Sequence, residues 1–141
     1  MNNFKYKIFV YTALLVLSLS FSVFAQKSGG GGGKAEPLRI SFKKGARSAT
    51  VTGNLKGDEE YDFVFGAKAN QKIALKIVSL PAGQLTTFKV NGADNDFTGE
   101  ADNSGNLSFT APATGDYLVF VQMRSTDKVK SAKFTLSLGI K

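Results

Sequence analysis

The chain has 141 residues, a formal net charge of +7, and no histidine, cysteine or tryptophan. It therefore has no disulfide, no thiol nucleophile, no lipid-attachment cysteine and no histidine to serve as general base or zinc ligand. Carboxylate pairs such as Glu59 with Glu60 remain, but no pattern places two carboxyl groups across one cleft as glycoside hydrolysis requires. We expect a binding protein, not an enzyme.

Residues 1–25 have the features of a secretory signal peptide. Lys5 and Lys7 precede an apolar run that starts at Ile8, and Val23-Phe24-Ala25 ends it with a cleavage pattern. A membrane anchor is the alternative, but several serines and a following glycine run disfavour it. We predict cleavage after Ala25, a periplasmic or secreted product, and no stable membrane anchor. An exported chain with scattered lysines is also not expected to bind nucleic acid.

Residues 26–36 contain five consecutive glycines, Gly29 to Gly33. Glycine runs do not offset the entropy cost of ordering, so we predict a flexible tether. No strand precedes the run and no helix follows it, which excludes a phosphate-binding loop. The folded domain is expected at 37–141.

From Pro37 onward, apolar residues alternate with polar ones, and turn residues separate short segments. This pattern predicts an all-β chain, an antiparallel, jelly-roll-like β-sandwich of about eight short strands. We keep a homodimer as an alternative to a monomer, because the exposed edge strands of such a sandwich can pair between two copies of the chain. The predicted strands are 38–42, 49–55, 61–65, 73–77, 88–90, 107–109, 117–123 and 132–140.

Residues 91–106 are acidic and glycine-rich, and they are predicted to form one long loop. Asp94, Asp96 and Asp102 are weak candidates for a calcium site, because oxygen ligands at alternate positions resemble the start of a calcium loop. Gly105 stands where the closing glutamate would be needed. We expect a turn-rich loop without a cofactor, with calcium binding as the alternative.

Two loops near the C-terminus flank the most apolar strand. The first is PATGDY, residues 112–117, in which we expect a hairpin turn with a positive φ at Gly115. The second, 123–130, is basic and follows the strand directly, starting with Met123 and Arg124. It too is consistent with a hairpin loop.

These two loops, with ISFKKGARSA at 40–49, TGNLKG at 52–57 and YDFVFGAKANQ at 61–71, resemble the periplasmic inhibitors of goose-type and invertebrate-type lysozymes. The resemblance spans about 38–141 and extends more loosely to the bacterial pre-peptidase C-terminal domain. It implies a β-sandwich whose partner is a lysozyme. The alternative is a sandwich module that binds an envelope component or a secreted protein, with calcium in the acidic loop.

In those inhibitors, a Ser-Gly-x-Tyr loop enters the lysozyme cleft, and its Ser and Tyr hydroxyls bond to the catalytic carboxyl groups. Gly115 and Tyr117 match this pattern, and Thr114 stands where Ser is usual, which keeps the hydroxyl. Asp116 would be repelled by a carboxylate-lined cleft unless it turns outward or meets a cation. Arg124 is expected to support or extend the same surface.

Overall fold

The alternating segments form strands in a computed structural model that describes residues 36–83, 85–92, 94–95, 97–124 and 128–141. The predicted signal peptide and all of the tether except Glu36 lie outside those ranges. Within them, no helix is both long and apolar enough to cross a bilayer.

The described residues form two sheets, one with the strand order β1-β3-β8-β5-β6 and the other with the order β2-β9-β4-β7. Every pair of neighbouring strands is antiparallel except β1 with β3, which is parallel. The predicted β-sandwich is therefore confirmed. The strands are β1 Leu38–Arg39, β2 Ser48–Lys56, β3 Glu60–Ala67, β4 Lys72–Leu80, β5 Thr86–Asn91, β6 Thr98–Glu100, β7 Asn106–Thr110, β8 Gly115–Met123 and β9 Ser131–Ile140.

Period-two burial places the apolar side chains between the sheets, because successive side chains of a strand point to opposite faces. In β4, Ile73, Leu75 and Ile77 are buried, while the intervening residues are exposed. Phe134 and Leu136 of β9 lie in the same core, opposite β3, β5 and β8. Burying a side chain of this size contributes about 1.5–3 kcal/mol to folding.

The predicted strand 38–42 and the predicted loop 91–106 both differ from the structure. The first strand has only the two residues of β1, although Ile40 N–H still donates to the Val64 carbonyl. The region predicted as one long loop contains β6, which pairs with β5. An aromatic contact explains this strand: the ring of Phe97 stacks on Phe109 with centroids 4.1 Å apart, which holds the chain before β6 against the core.

The connections between strands are mostly arches from one sheet to the other. Among the described strands, β5 and β6 alone are both consecutive in sequence and paired with each other. The segments predicted as hairpin turns, 112–117 and 123–130, instead join β7 to β8 and β8 to β9 across the sandwich. The hairpin prediction was wrong for both.

Gly53 is required where β2 packs on the core. A Cβ atom there would lie 2.5 Å from Cε1 of Phe134, whose ring is buried and packs edge-on against Tyr61 and Phe63. Gly53→Ala should lower the free energy of unfolding by about 1–3 kcal/mol, the usual cost of overpacking a core. Urea unfolding followed by circular dichroism measures it.

Gly139→Ala is the matched control, since Gly139 also lies in a paired strand but its added Cβ would have no atom closer than 3.9 Å. This variant should be as stable as the wild type or up to about 1 kcal/mol more stable. Equal stability of the two variants would contradict the tight packing at Gly53.

Candidate partner-binding site at one end of the sandwich

Residues 111–114, here called the arch, connect β7 to β8 at one end of the sandwich. Ala111 extends the β4–β7 ladder, because its N–H donates to the Gln71 carbonyl and its carbonyl accepts from the Asn70 N–H, each over 2.8 Å. The arch therefore lies beside the turn between β3 and β4. Asn70, in that turn, has a φ of 69°, which asparagine tolerates better than most residues.

Tyr117 holds the arch from inside. Its side chain is fully buried, and its hydroxyl donates to the Ala113 carbonyl over 2.7 Å and accepts from the Ala113 N–H over 3.3 Å. This bond to the backbone a few residues upstream resembles the tyrosine corner of other β-sandwiches. A hydroxyl that is buried and bonded in this way does not reach a partner, so the direct contact predicted for Tyr117 does not fit the folded chain. In the sequence, Tyr117, Val119 and Val121 occupy every second position of one strand, a spacing that places their side chains on the same face and indicates a core position for Tyr117.

Thr114 is the exposed hydroxyl of the arch. Its Oγ1 accepts from the Ala69 N–H over 2.9 Å, so the side chain is tied to the β3–β4 turn. Among the described residues none accepts the Thr114 hydroxyl proton, which leaves it free to donate to an acceptor of a partner. Gly115 does not have the positive φ that a hairpin would need; it begins β8 and pairs with Ala67.

Asp116 meets a cation, as a carboxylate near an acidic partner would require. Nη1 of Arg39 donates to Oδ1 of Asp116 over 3.1 Å, and Nη2 donates to Oδ2, so the pair is bidentate. The hydrogen bond from Arg39 holds the pKa of the Asp116 carboxyl below its ordinary value, and the same bond raises the pKa of Arg39. Both side chains are about half exposed.

An open cleft of ≈ 720 Å³ lies next to the arch; we call it the tip cleft. Three exposed cations, Arg47, Lys68 and Lys141, are on its lining, and none of them forms an ion pair with another described residue. Sequence reasoning missed them, because Arg47 precedes β2, Lys68 follows β3 and Lys141 follows β9, and only the fold brings these three positions together. The other lining residues are Phe42, Ala46, Gly66, Ala67, Gln71, Thr114, Gly115, Asp116 and Ile140.

Arg124 does not belong to this surface. It follows β8, which begins beside Thr114 and rises about 3.3 Å per residue, so Arg124 lies about 30 Å from the arch. There its Nη2 donates to the Asp102 carbonyl over 3.3 Å. Arg124 therefore lies apart from the arch and the tip cleft, and its predicted role in binding stays a prediction. The loop containing Lys128 and Lys130 is at the same far end, since it connects β8 to β9.

Of the calcium candidates, Asp102 is engaged in a turn, where its Oδ1 accepts from the N–H groups of Ser104 and Asn106 over 2.8 Å each. Asp94 is exposed, and Asp96 lies outside the described residues. Within the described ranges, no three acidic side chains gather as a metal site would need. The predicted lack of a cofactor at this loop stays a prediction, with calcium binding as its alternative.

Tyr117→Phe should lower the free energy of unfolding by about 1–2 kcal/mol, because Ala113 loses its partner while the ring keeps its packing. Tyr61→Phe is the matched control, since its hydroxyl makes one 3.3 Å bond to the Asn54 carbonyl at a less buried position. The control should change the free energy by about 0.5 kcal/mol or less. Denaturant unfolding of both variants measures the difference, and an unaffected Tyr117→Phe variant would contradict the positioning role.

Comparison with known proteins gives a consistent result. A scan against models of protein families finds no match. The chain is 30% identical over 111 residues to an inhibitor of g-type lysozyme from Escherichia coli. The match covers 74% of this chain and 80% of that protein.

Solved structures share the fold. A periplasmic lysozyme inhibitor of g-type lysozyme from Aeromonas hydrophila is 25% identical, with a TM-score of 0.66 over 74% of this chain and 96% of the other. The pre-peptidase C-terminal domain of a Bacillus anthracis collagenase is 20% identical, with a TM-score of 0.54 over 75% and 95% of the two chains, a likeness of fold alone. Because the Escherichia coli inhibitor is 30% identical to this chain and is matched over 80% of its length, the chain belongs to the family of inhibitors of g-type lysozyme.

Proposed function

We propose that this protein inhibits a g-type lysozyme in the bacterial periplasm by covering the active-site cleft of the enzyme with the arch and the tip cleft. Its relatives from Escherichia coli and Aeromonas hydrophila are named as inhibitors of g-type lysozyme, and the solved one from Aeromonas hydrophila also as periplasmic. An inhibitor agrees with the expectation of a binding protein rather than an enzyme.

The observation that carries the proposal is the exposed hydroxyl of Thr114 with its proton still unused. Glycosidases act through carboxyl groups that flank the scissile bond, so their clefts contain acceptors for such a proton. A hydrogen bond to a charged acceptor contributes about 1.5–3 kcal/mol. Thr114 therefore takes the contacting role that the sequence divided between Thr114 and Tyr117.

The arch is held before any partner arrives. Tyr117 bonds it from the core, Gln71 and Asn70 bond it from the neighbouring turn, and Ala69 bonds Thr114 itself. A segment already held in its bound shape loses little entropy on association, so more of the contact energy appears as affinity. Tyr117 acts on binding through this rigidity.

The charge of the tip cleft fits the same kind of partner. The side chains of Arg47, Lys68 and Lys141 form no ion pair within the described chain, and the acidic side chain among the lining residues, Asp116, is bound to Arg39. Complementary potentials speed association and disfavour wrong partners. A cleft that contains catalytic carboxylates presents the opposite sign.

Thr114→Ala should weaken inhibition of a g-type lysozyme about 10- to 100-fold, because the hydrogen bond to the enzyme is lost. Thr114→Ser keeps the hydroxyl and should inhibit at least about fivefold better than Thr114→Ala. The measurement is the inhibition constant in a cell-wall lysis assay, with the protein isolated from the periplasm of the expressing strain.

Thr50→Ala is the matched control, because Thr50 is also an exposed threonine with one side-chain hydrogen bond, to Ser137, but it lies outside the tip cleft. This variant should inhibit like the wild type. If the wild-type protein leaves g-type lysozymes fully active at micromolar concentration, the proposed function is wrong. If Thr114→Ala inhibits as well as Thr50→Ala, the role of the arch is wrong.

Export is the second part of the proposal, and it rests on residues 1–25. The signal pattern predicts that the mature chain begins at Gln26. Mass spectrometry of the protein from a periplasmic extract should give the mass of residues 26–141. A product that keeps the apolar segment, or that stays in the membrane fraction, would contradict cleavage after Ala25.

A further inference from the structure

The ion pair between Arg39 and Asp116 crosses the end of the sheet next to the arch. Arg39 is in β1 and Asp116 is in β8, and β3 runs between them. Gly66, the β3 residue paired with Asp116, leaves the space above β3 open. A Cβ atom at Gly66 would lie 3.5 Å from Oδ1 of Asp116 and 3.9 Å from Nη1 of Arg39, so a longer side chain would occupy the path of the guanidinium group.

Asp116 is placed where its charge would matter most to a partner. It lies two residues from Thr114, it lines the tip cleft, and its side chain is about half exposed. A free carboxylate here would face the carboxyl groups of a glycosidase cleft, and like charges brought together at an interface cost several kcal/mol. The bidentate contact with Arg39 places a positive charge directly against that carboxylate and holds the side chain toward β1.

We propose that Arg39 is a specificity-determining residue of the inhibitor: by pairing with Asp116 it keeps the tip cleft positive and so compatible with a carboxylate-lined enzyme cleft. This inference rests on the proposed function. Arg39 acts through Asp116, so it is a positioning residue. Its loss should therefore be harmful because Asp116 is present, and the harm should diminish when the Asp116 carboxylate is removed.

The test measures the inhibition constant against a g-type lysozyme for Arg39→Ala, Asp116→Asn and the double variant. Arg39→Ala should inhibit about tenfold less well than the wild type, the effect of about 1.4 kcal/mol. The double variant should recover at least about threefold relative to Arg39→Ala. Asp116→Asn serves as the reference for the double variant. If the ion pair had only a structural role, the double variant would not recover, because it lacks both the Arg39 guanidinium and the Asp116 carboxylate.

Lys89→Ala is the matched control. Lys89 forms an ion pair of similar exposure with Glu100, through a single contact of 2.9 Å and with side chains 50% and 60% exposed, on the same sheet but outside the tip cleft. Lys89→Ala removes one positive charge, as Arg39→Ala does, so it shows how much that loss of charge alone changes the inhibition constant. Its inhibition constant should stay within about twofold of the wild type. Circular dichroism confirms that each variant is folded.

Each other result overturns the inference. If Arg39→Ala inhibits as well as Lys89→Ala, the charge of Asp116 does not matter to the partner. If the double variant is as weak as Arg39→Ala, the role of Arg39 is structural. If the wild-type protein itself does not inhibit, the proposed function fails and this inference fails with it, a result that the wild-type measurement alone identifies.

Discussion

The hydroxyl of Tyr117 bonds to both backbone groups of Ala113 from inside the core, and the shape of the arch depends on that contact. The ring packs between Phe65 and Phe109, so the arch is attached to both sheets at once. Because a buried tyrosine must find a hydrogen-bond partner, the core and the arch stabilise each other. Thr114 then stands on a segment whose backbone is already determined.

The electrostatics of the same end follow from how the strands are ordered. β1 lies beside β3 and places Arg39 within reach of Asp116, and Gly66 leaves room for the contact. The ends of other strands bring three unpaired cations to the tip cleft. On this surface the aspartate side chain is paired with an arginine, while three cationic side chains have no ion-pair partner among the described residues. Such a surface suits a partner that carries carboxylates, which is the chemistry of a glycosidase cleft.

The sequence predicted the sandwich correctly because period-two burial is a local property that each strand shows on its own. It missed β6, because three residues carry too little alternation; β6 forms where Phe97 packs on Phe109, a contact between distant segments. It assigned Arg124 and Thr114 to one surface from the resemblance to the lysozyme inhibitors. The two ends of a nine-residue strand are far apart, so residues that are close in sequence came to lie at opposite ends of the molecule.

The sequence by itself determined the all-β class, the position of most strands, the lack of histidine and cysteine chemistry, and the motif that contains Thr114 and Tyr117. The tertiary structure decided which of these two hydroxyls is exposed, which cations lie near it, and that the connections before and after β8 cross between the sheets. The reason is physical: a short turn-forming segment looks the same in sequence whether the next strand pairs with the previous one or crosses to the other sheet. Which of the two occurs depends on packing between strands that are far apart in the chain. Here β8 crosses to the other sheet, Tyr117 is buried in the core and Thr114 is exposed.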